Sequence, residues 1–272
     1  MLNVIIDMFS YTFMLRALIV GLLVTICASL LGTSLVLKGY SMIGDGLSHV
    51  AFGALTIATV LGVSPLKFTI PIVIIAAFFI LKLNTKSSLK GDAAIGMISV
   101  TALAVGVLVI SLGTGLNTDL YSYLFGSILS MNTEDVILSI ILSVVVIILF
   151  VFSYNKIFAV TFDEDFAVSS GTNCSFYNML IAILTAVTVV LGMKMMGTLI
   201  ISALIIFPAI TSIMICKSFK KVVICSLILS IICFITGLVI SYMYNLPTGA
   251  TIVTINALTY IILWIFKKQK KW

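Results

Sequence analysis

Asp45 and His49 lie four residues apart in an otherwise apolar stretch, and His49 is the only histidine among 272 residues. On a helix that spacing sets the two side chains one above the other on a single face. A carboxylate and an imidazole on adjacent turns are natural first ligands for a divalent transition metal. The same two groups also serve as a proton relay, or as a buried pair that ties helices together. Ser48, Thr56 and Thr59 extend the stripe, giving a polar track that faces a cavity. Ala54, Ala58 and Gly62 recur at every fourth position, where small residues admit a neighbouring helix.

The elements that hold this pair have to be membrane spans. The chain is 62% hydrophobic and only 9% charged, against about 25% charged in a soluble domain. A span takes ~20 residues, so with short connections the chain accommodates about nine. Apolar stretches run over 14–37, 44–62, 66–83, 93–113, 135–154, 176–193, 197–216, 222–243 and 249–266. Runs this long without alternation satisfy their backbone in lipid only as helices. The expected fold is all-α: one polytopic transmembrane bundle over residues 1–272, with nine spans, or eight if the short turn at 192–197 joins two into one. No room remains for an ectodomain, a cytosolic catalytic domain or a built-in ATPase. Counted from Lys38, His49 lies eleven residues into the membrane. If the stretch is helical throughout, that is ~16 Å, near the middle of a ~30 Å hydrocarbon layer.

Charge sets orientation. With the N-terminus outside, twelve lysines (38, 82, 86, 90, 156, 217, 220, 221, 267, 268, 270 and 271) face inward, and Arg16, Lys67 and Lys194 face outward. This bias puts the C-terminus in the cytoplasm. The net charge of +6 thus reads as topology, and no nucleic-acid partner is expected. Residues 1–13 lack a basic start and contain Asp7, unlike a secretory signal. Cys27, Cys174, Cys216, Cys225 and Cys233 form no CxxC pair and read as small hydrophobes.

Two connections exceed what a turn needs. The outer one, about 114–134, carries Asp119-Leu-Tyr-Ser-Tyr-Leu-Phe-Gly126, short and aromatic enough to lie at the interface. The inner one reads Phe162-Asp163-Glu164-Asp165-Phe166-Ala167-Val168-Ser169-Ser170-Gly171. Asp163 suits an N-cap, Glu164 and Asp165 fall in the first turn, and Gly171 closes the helix. Two turns presenting Phe162 and Phe166 beside three acids suit docking to another protein, or form a capped connector. Pro208, with Thr211 and Ser212 after it, predicts a kink whose freed carbonyls line a pathway. Asn256, with Thr251 and Thr254, offers bonding across helices or a further oxygen ligand. The sequence has no G-x-x-x-x-G-K-[ST] and no H-E-x-x-H, so no catalytic residue is expected.

Three of these segments together resemble one family. Gly39-Tyr-Ser-Met-Ile-Gly-Asp45-Gly-Leu-Ser-His49 is similar to the second-span motif of the zinc/manganese ABC transporter permeases. The 162–171 loop resembles that family's cytosolic loop, and Met196-Gly-Thr-Leu-Ile-Ile-Ser-Ala-Leu-Ile-Ile-Phe-Pro208-Ala a later span. Leu124-Phe-Gly126 has the family pattern too. The resemblance implies a homodimeric permease in a prokaryotic cell membrane. It works with separate cytosolic ATPase subunits and an extracytoplasmic metal-binding protein. It carries Zn²⁺ or Mn²⁺ transiently and keeps no permanent cofactor. Asp45 and His49 match the positions that hold metal inside the membrane. Phe162, Asp163, Glu164, Phe166, Ala167 and Gly171 match the coupling helix. Glu164 departs from the pattern, standing where the family usually has Pro. Val50-Ala51-Phe52-Gly53-Ala54 looks like zinc-type members. Read without the resemblance, the pair also fits a stand-alone proton-coupled carrier.

Overall fold

The structure is a computed structural model that describes residues 11–86, 91–112 and 132–269. In chain order its helices are α1 (Thr12–Leu37), α2 (Ile43–Val60), α3 (Pro65–Lys86), α4 (Gly91–Leu112), α5 (Thr133–Phe162), α6 (Glu164–Ser169), α7 (Cys174–Met196), α8 (Thr198–Ile215), α9 (Phe219–Tyr244) and α10 (Thr248–Gln269). Among the described residues, eight helices are long and apolar enough to cross a membrane, and a shorter apolar one covers Ile200–Ile215 within α8. The expected all-α bundle is therefore present. The short turn that left eight or nine spans open is the single residue Gly197, between α7 and α8.

The core lies among α1, α2 and α7, whose apolar spans are mostly buried. The outer helices turn large apolar side chains outward, among them Leu108, Ile141, Phe152, Ile228 and Ile261. That surface suits lipid, which removes any need for a polar outer face. α2 and α4 approach closely because glycines stand at their crossing. A Cβ on Gly53 would lie 2.7 Å from the Ala102 carbonyl oxygen, and one on Gly106 would lie 2.8 Å from Phe52. The sequence pattern pointed instead to Ala54, Ala58 and Gly62. The two alanines are buried, but Gly62 ends α2 at a φ of 67° with nothing within 4 Å of its Cβ position.

The polar ends sort into two groups. Lys67 pairs with Glu134 and Lys194 with Asp135 at one end. At the other end Lys38 meets Glu164, Lys156 meets Thr172, and the Lys267 ammonium donates to the Met214 carbonyl. α1 starts at the Lys194 end, where Gly21 abuts Met196, and α10 finishes at the other. Of the outer connection, residues 113–131 lie outside the described residues, including Asp119 to Gly126. Beyond them Asn132 and Asp135 cap α5 reciprocally.

The polar side chains after Pro208 and at Asn256 bond along their own helices. The Thr211 and Ser212 hydroxyls donate to the carbonyls of Phe207 and Pro208, both at 2.7 Å. They close on their own helix. Asn256 likewise donates to the Ile252 carbonyl at 2.9 Å, along α10. In a low-dielectric layer the second lone pair of the carbonyl one turn back is the nearest acceptor, and it wins over a partner on another helix.

Candidate metal path and docking helix

Asp45 stands in the first turn of α2, where the helix dipole favours a carboxylate. Its Oδ1 accepts a hydrogen bond from the Ser202 hydroxyl of α8 at 3.1 Å. Its Oδ2 lies 3.7 Å from His49 Nε2, within ion-pair range and too long for a hydrogen bond. The side chains are 15% exposed for His49 and 35% for Asp45. His49 Nδ1 is buried with no hydrogen-bond partner. A buried nitrogen left unpaired costs free energy unless something else takes it.

The rest of the polar stripe does not join them. Ser48 donates to the Asp45 carbonyl at 2.7 Å, Thr56 to Gly53 at 2.8 Å and Thr59 to Leu55 at 2.9 Å. Ser48 and Thr56 are buried. The track thus contracts to Asp45, His49 and Ser202. Sequence reasoning missed Ser202, although a hydroxyl between Ile201 and Ala203 in an apolar span was its available signal. Among the described residues no group of three or more His, Cys, Asp or Glu side chains could hold a metal. One chain brings a carboxylate, an imidazole and a hydroxyl together.

Within 162–171, Glu164–Ser169 form a helix, α6, shorter than the two turns expected, and Phe162 instead ends α5. Asp163 Oδ1 caps it, accepting from the Phe166 N–H at 2.9 Å, and Gly171 closes it with a φ of 77°. Ala167 is buried and anchors it, while Phe166 is 65% exposed. Phe162 packs edge-on against Phe219 at 5.7 Å between ring centres, holding the end of α5 to α9. Glu164 is the surprise among the three acids: half-exposed, it still reaches back to α1 and α7 with one carboxylate oxygen. The Lys38 ammonium donates to Glu164 Oε1 at 2.7 Å and also to Asn178 Oδ1. The Asn178 amide donates to the same Glu164 oxygen at 3.1 Å. The Lys38 hydrogen bond holds the Glu164 carboxyl below its ordinary range, with burial opposing. Burial, and then the Glu164 charge, push the Tyr40 phenol up.

The profile of the ABC 3 transport family matches residues 10–267. The manganese import system permease protein ScaB of Streptococcus gordonii is 30% identical over 262 residues, covering 96% of this chain and 94% of the relative. The high-affinity zinc uptake system membrane protein ZnuB of Haemophilus influenzae is 28% identical over 254 residues, covering 93% and 97%. The solved structure of PsaBC from Streptococcus pneumoniae in complex with Fab superposes with a TM-score of 0.87 at 28% identity, covering 98% of this chain and 99% of that one.

Proposed function

Because this chain belongs to the ABC 3 transport family, as a multi-pass membrane permease, we propose that it is the membrane subunit of an ATP-driven importer of divalent transition-metal ions. The observation that carries this reading is the Asp45–His49 pair with its unpartnered Nδ1, facing Ser202 across two helices. Carboxylate oxygen and imidazole nitrogen without thiolate suit Mn²⁺, Fe²⁺ or Zn²⁺. Two protein ligands are too few for a closed site. A second copy of the chain facing the first supplies the other pair, and such a shared site releases its ion as readily as it takes it. Val50-Ala51-Phe52-Gly53-Ala54 favours Zn²⁺ as the cargo, while the relatives named for manganese and for zinc match almost equally.

In this reading the Lys38 end of the bundle faces the cytoplasm, following the lysine bias. α6 with its flanking residues (162–171) is the seat of a separate ATPase subunit, offering the exposed Phe166 and Val168. Metal arrives at the Lys194 end from an extracytoplasmic binding protein. ATP hydrolysis belongs to the partner subunit, and this chain contributes the path.

The test is uptake by proteoliposomes holding the permease, its ATPase and its binding protein, with Zn²⁺, Mn²⁺ and Fe²⁺ in competition. ATP-dependent uptake is expected, Zn²⁺ competing best. Asp45→Ala and His49→Ala should each lower it at least about tenfold, the effect of losing roughly 1.4 kcal/mol of ion stabilisation. Unchanged uptake in both variants would falsify the metal path. Uptake driven by a proton gradient in vesicles holding this chain alone would replace the importer with a carrier.

A further inference from the structure

We infer that Lys38, Glu164 and Asn178 form a positioning contact that carries movement of α6 to the turn that starts α2, and through it to Asp45 and His49. The inference rests on the importer reading above and adds the route by which its two ends communicate. Lys38 is the C-cap of α1, and its side chain is only 6% exposed. Its ammonium donates to one acceptor on α6 and one on α7. A single Glu164 oxygen receives both Lys38 and Asn178, so the three groups move as a unit. Removing Glu164 leaves the buried Lys38 cation with only Asn178 Oδ1 and the Tyr40 ring, so the contact resists separation.

Backbone hydrogen bonds tie the turn between Lys38 and Gly46 to both helices. Gly39 N–H reaches Val36, Tyr40 reaches Leu35 at 2.8 Å, Ile43 reaches Tyr40 at 3.1 Å and Gly46 reaches Met42 at 3.0 Å. Gly39 has a φ of 73°, which admits this closed turn at no steric cost. Tyr40 lays its ring 5.9 Å from the Lys38 ammonium. Through these bonds a shift of Lys38 is passed to the first turn of α2. Beside Glu164 a cavity of about 390 Å³ opens between α3 and α7, lined among others by Phe78, Lys82, Cys174 and Asn178. It gives α6 space to move in that direction.

The experiment uses the full transport complex and the variant Lys38→Met, which lies off the docking face. The variant is expected to co-purify with the ATPase and to keep basal ATP hydrolysis. Stimulation of that hydrolysis by metal-loaded binding protein, and uptake per ATP consumed, should fall at least about fivefold. The reversed pair Lys38→Glu with Glu164→Lys should recover more than either single reversal. Should Lys38→Met fail to assemble, Asn178→Leu on α7, outside the 162–171 seat, carries the same expectation for stimulated hydrolysis. Wild-type stimulation and uptake ratio in these variants, with the wild-type complex itself driven by ATP, would overturn the contact. A wild-type complex not driven by ATP would instead overturn the importer reading.

Discussion

At Glu164 the lowered pKa fixes how the Lys38 contact responds to acid. A carboxyl whose folded pKa lies below its ordinary 4.5 adds stability that is fully present above that ordinary value. The contribution drains only as pH falls through the lowered folded value. The thermal midpoint of Glu164→Gln should therefore stay below wild type by a constant margin from about pH 7 to about pH 5.5, closing only well under pH 4.5. A margin already gone near pH 6 would contradict the ion pair. Asp45 and His49 were legible because a helix converts a spacing of four into a shared face. Ser202 and Asn178 were not, being 157 and 140 residues from the groups they bond, a separation that no periodicity encodes. Glu164 could be read as an acid in a first turn, yet its reach back to α1 depends on Lys38, 126 residues away.

The element that presents the pair depends on its glycines. Gly53→Ala should force α2 and α4 apart, since the added carbon meets a backbone oxygen at 2.7 Å that cannot swing aside. A loss of about 1–3 kcal/mol in detergent unfolding is expected. Gly96→Ala, on α4 with nothing within 4 Å, should be neutral or gain up to about 1 kcal/mol from helix propensity. Equal losses at both positions would sink the close-crossing account. The apolar pattern located these helices well, 44–62 against Ile43–Val60 and 197–216 against Thr198–Ile215. It stopped α5 at 154, whereas the helix continues to Phe162. Asn155 and Lys156 read as a break, but the helix passes through them, with Lys156 bonded to Thr172 and Phe158 packed on Phe219.

For the whole molecule, the ion pair at the far end matters as much as the one at α6. Asp135 and Lys194 are both 9% exposed and join α5 to α7. Lys194→Met leaves a buried carboxylate alone and should cost about 3–5 kcal/mol in thermal or denaturant unfolding. Adding Asp135→Leu should return most of that loss, less the cap that Asp135 gives α5. No recovery in the double variant would mean that the pair is not what the single substitution breaks. The sorting of charges to two ends was legible from lysine counts, because basic residues gather at one membrane face. Which acid each lysine meets was not.

The helices bearing Asp45, His49 and Ser202 are also the shortest long helices described, 18 residues each in α2 and α8 against 30 in α5. At 1.5 Å per residue these are ~27 Å and ~45 Å. In the proposed path an ion at Asp45 meets these short helices, whereas α5 overhangs a ~30 Å hydrocarbon layer. A ~27 Å helix falls just short of that layer, so the dry stretch such an ion would cross is no longer than the layer itself.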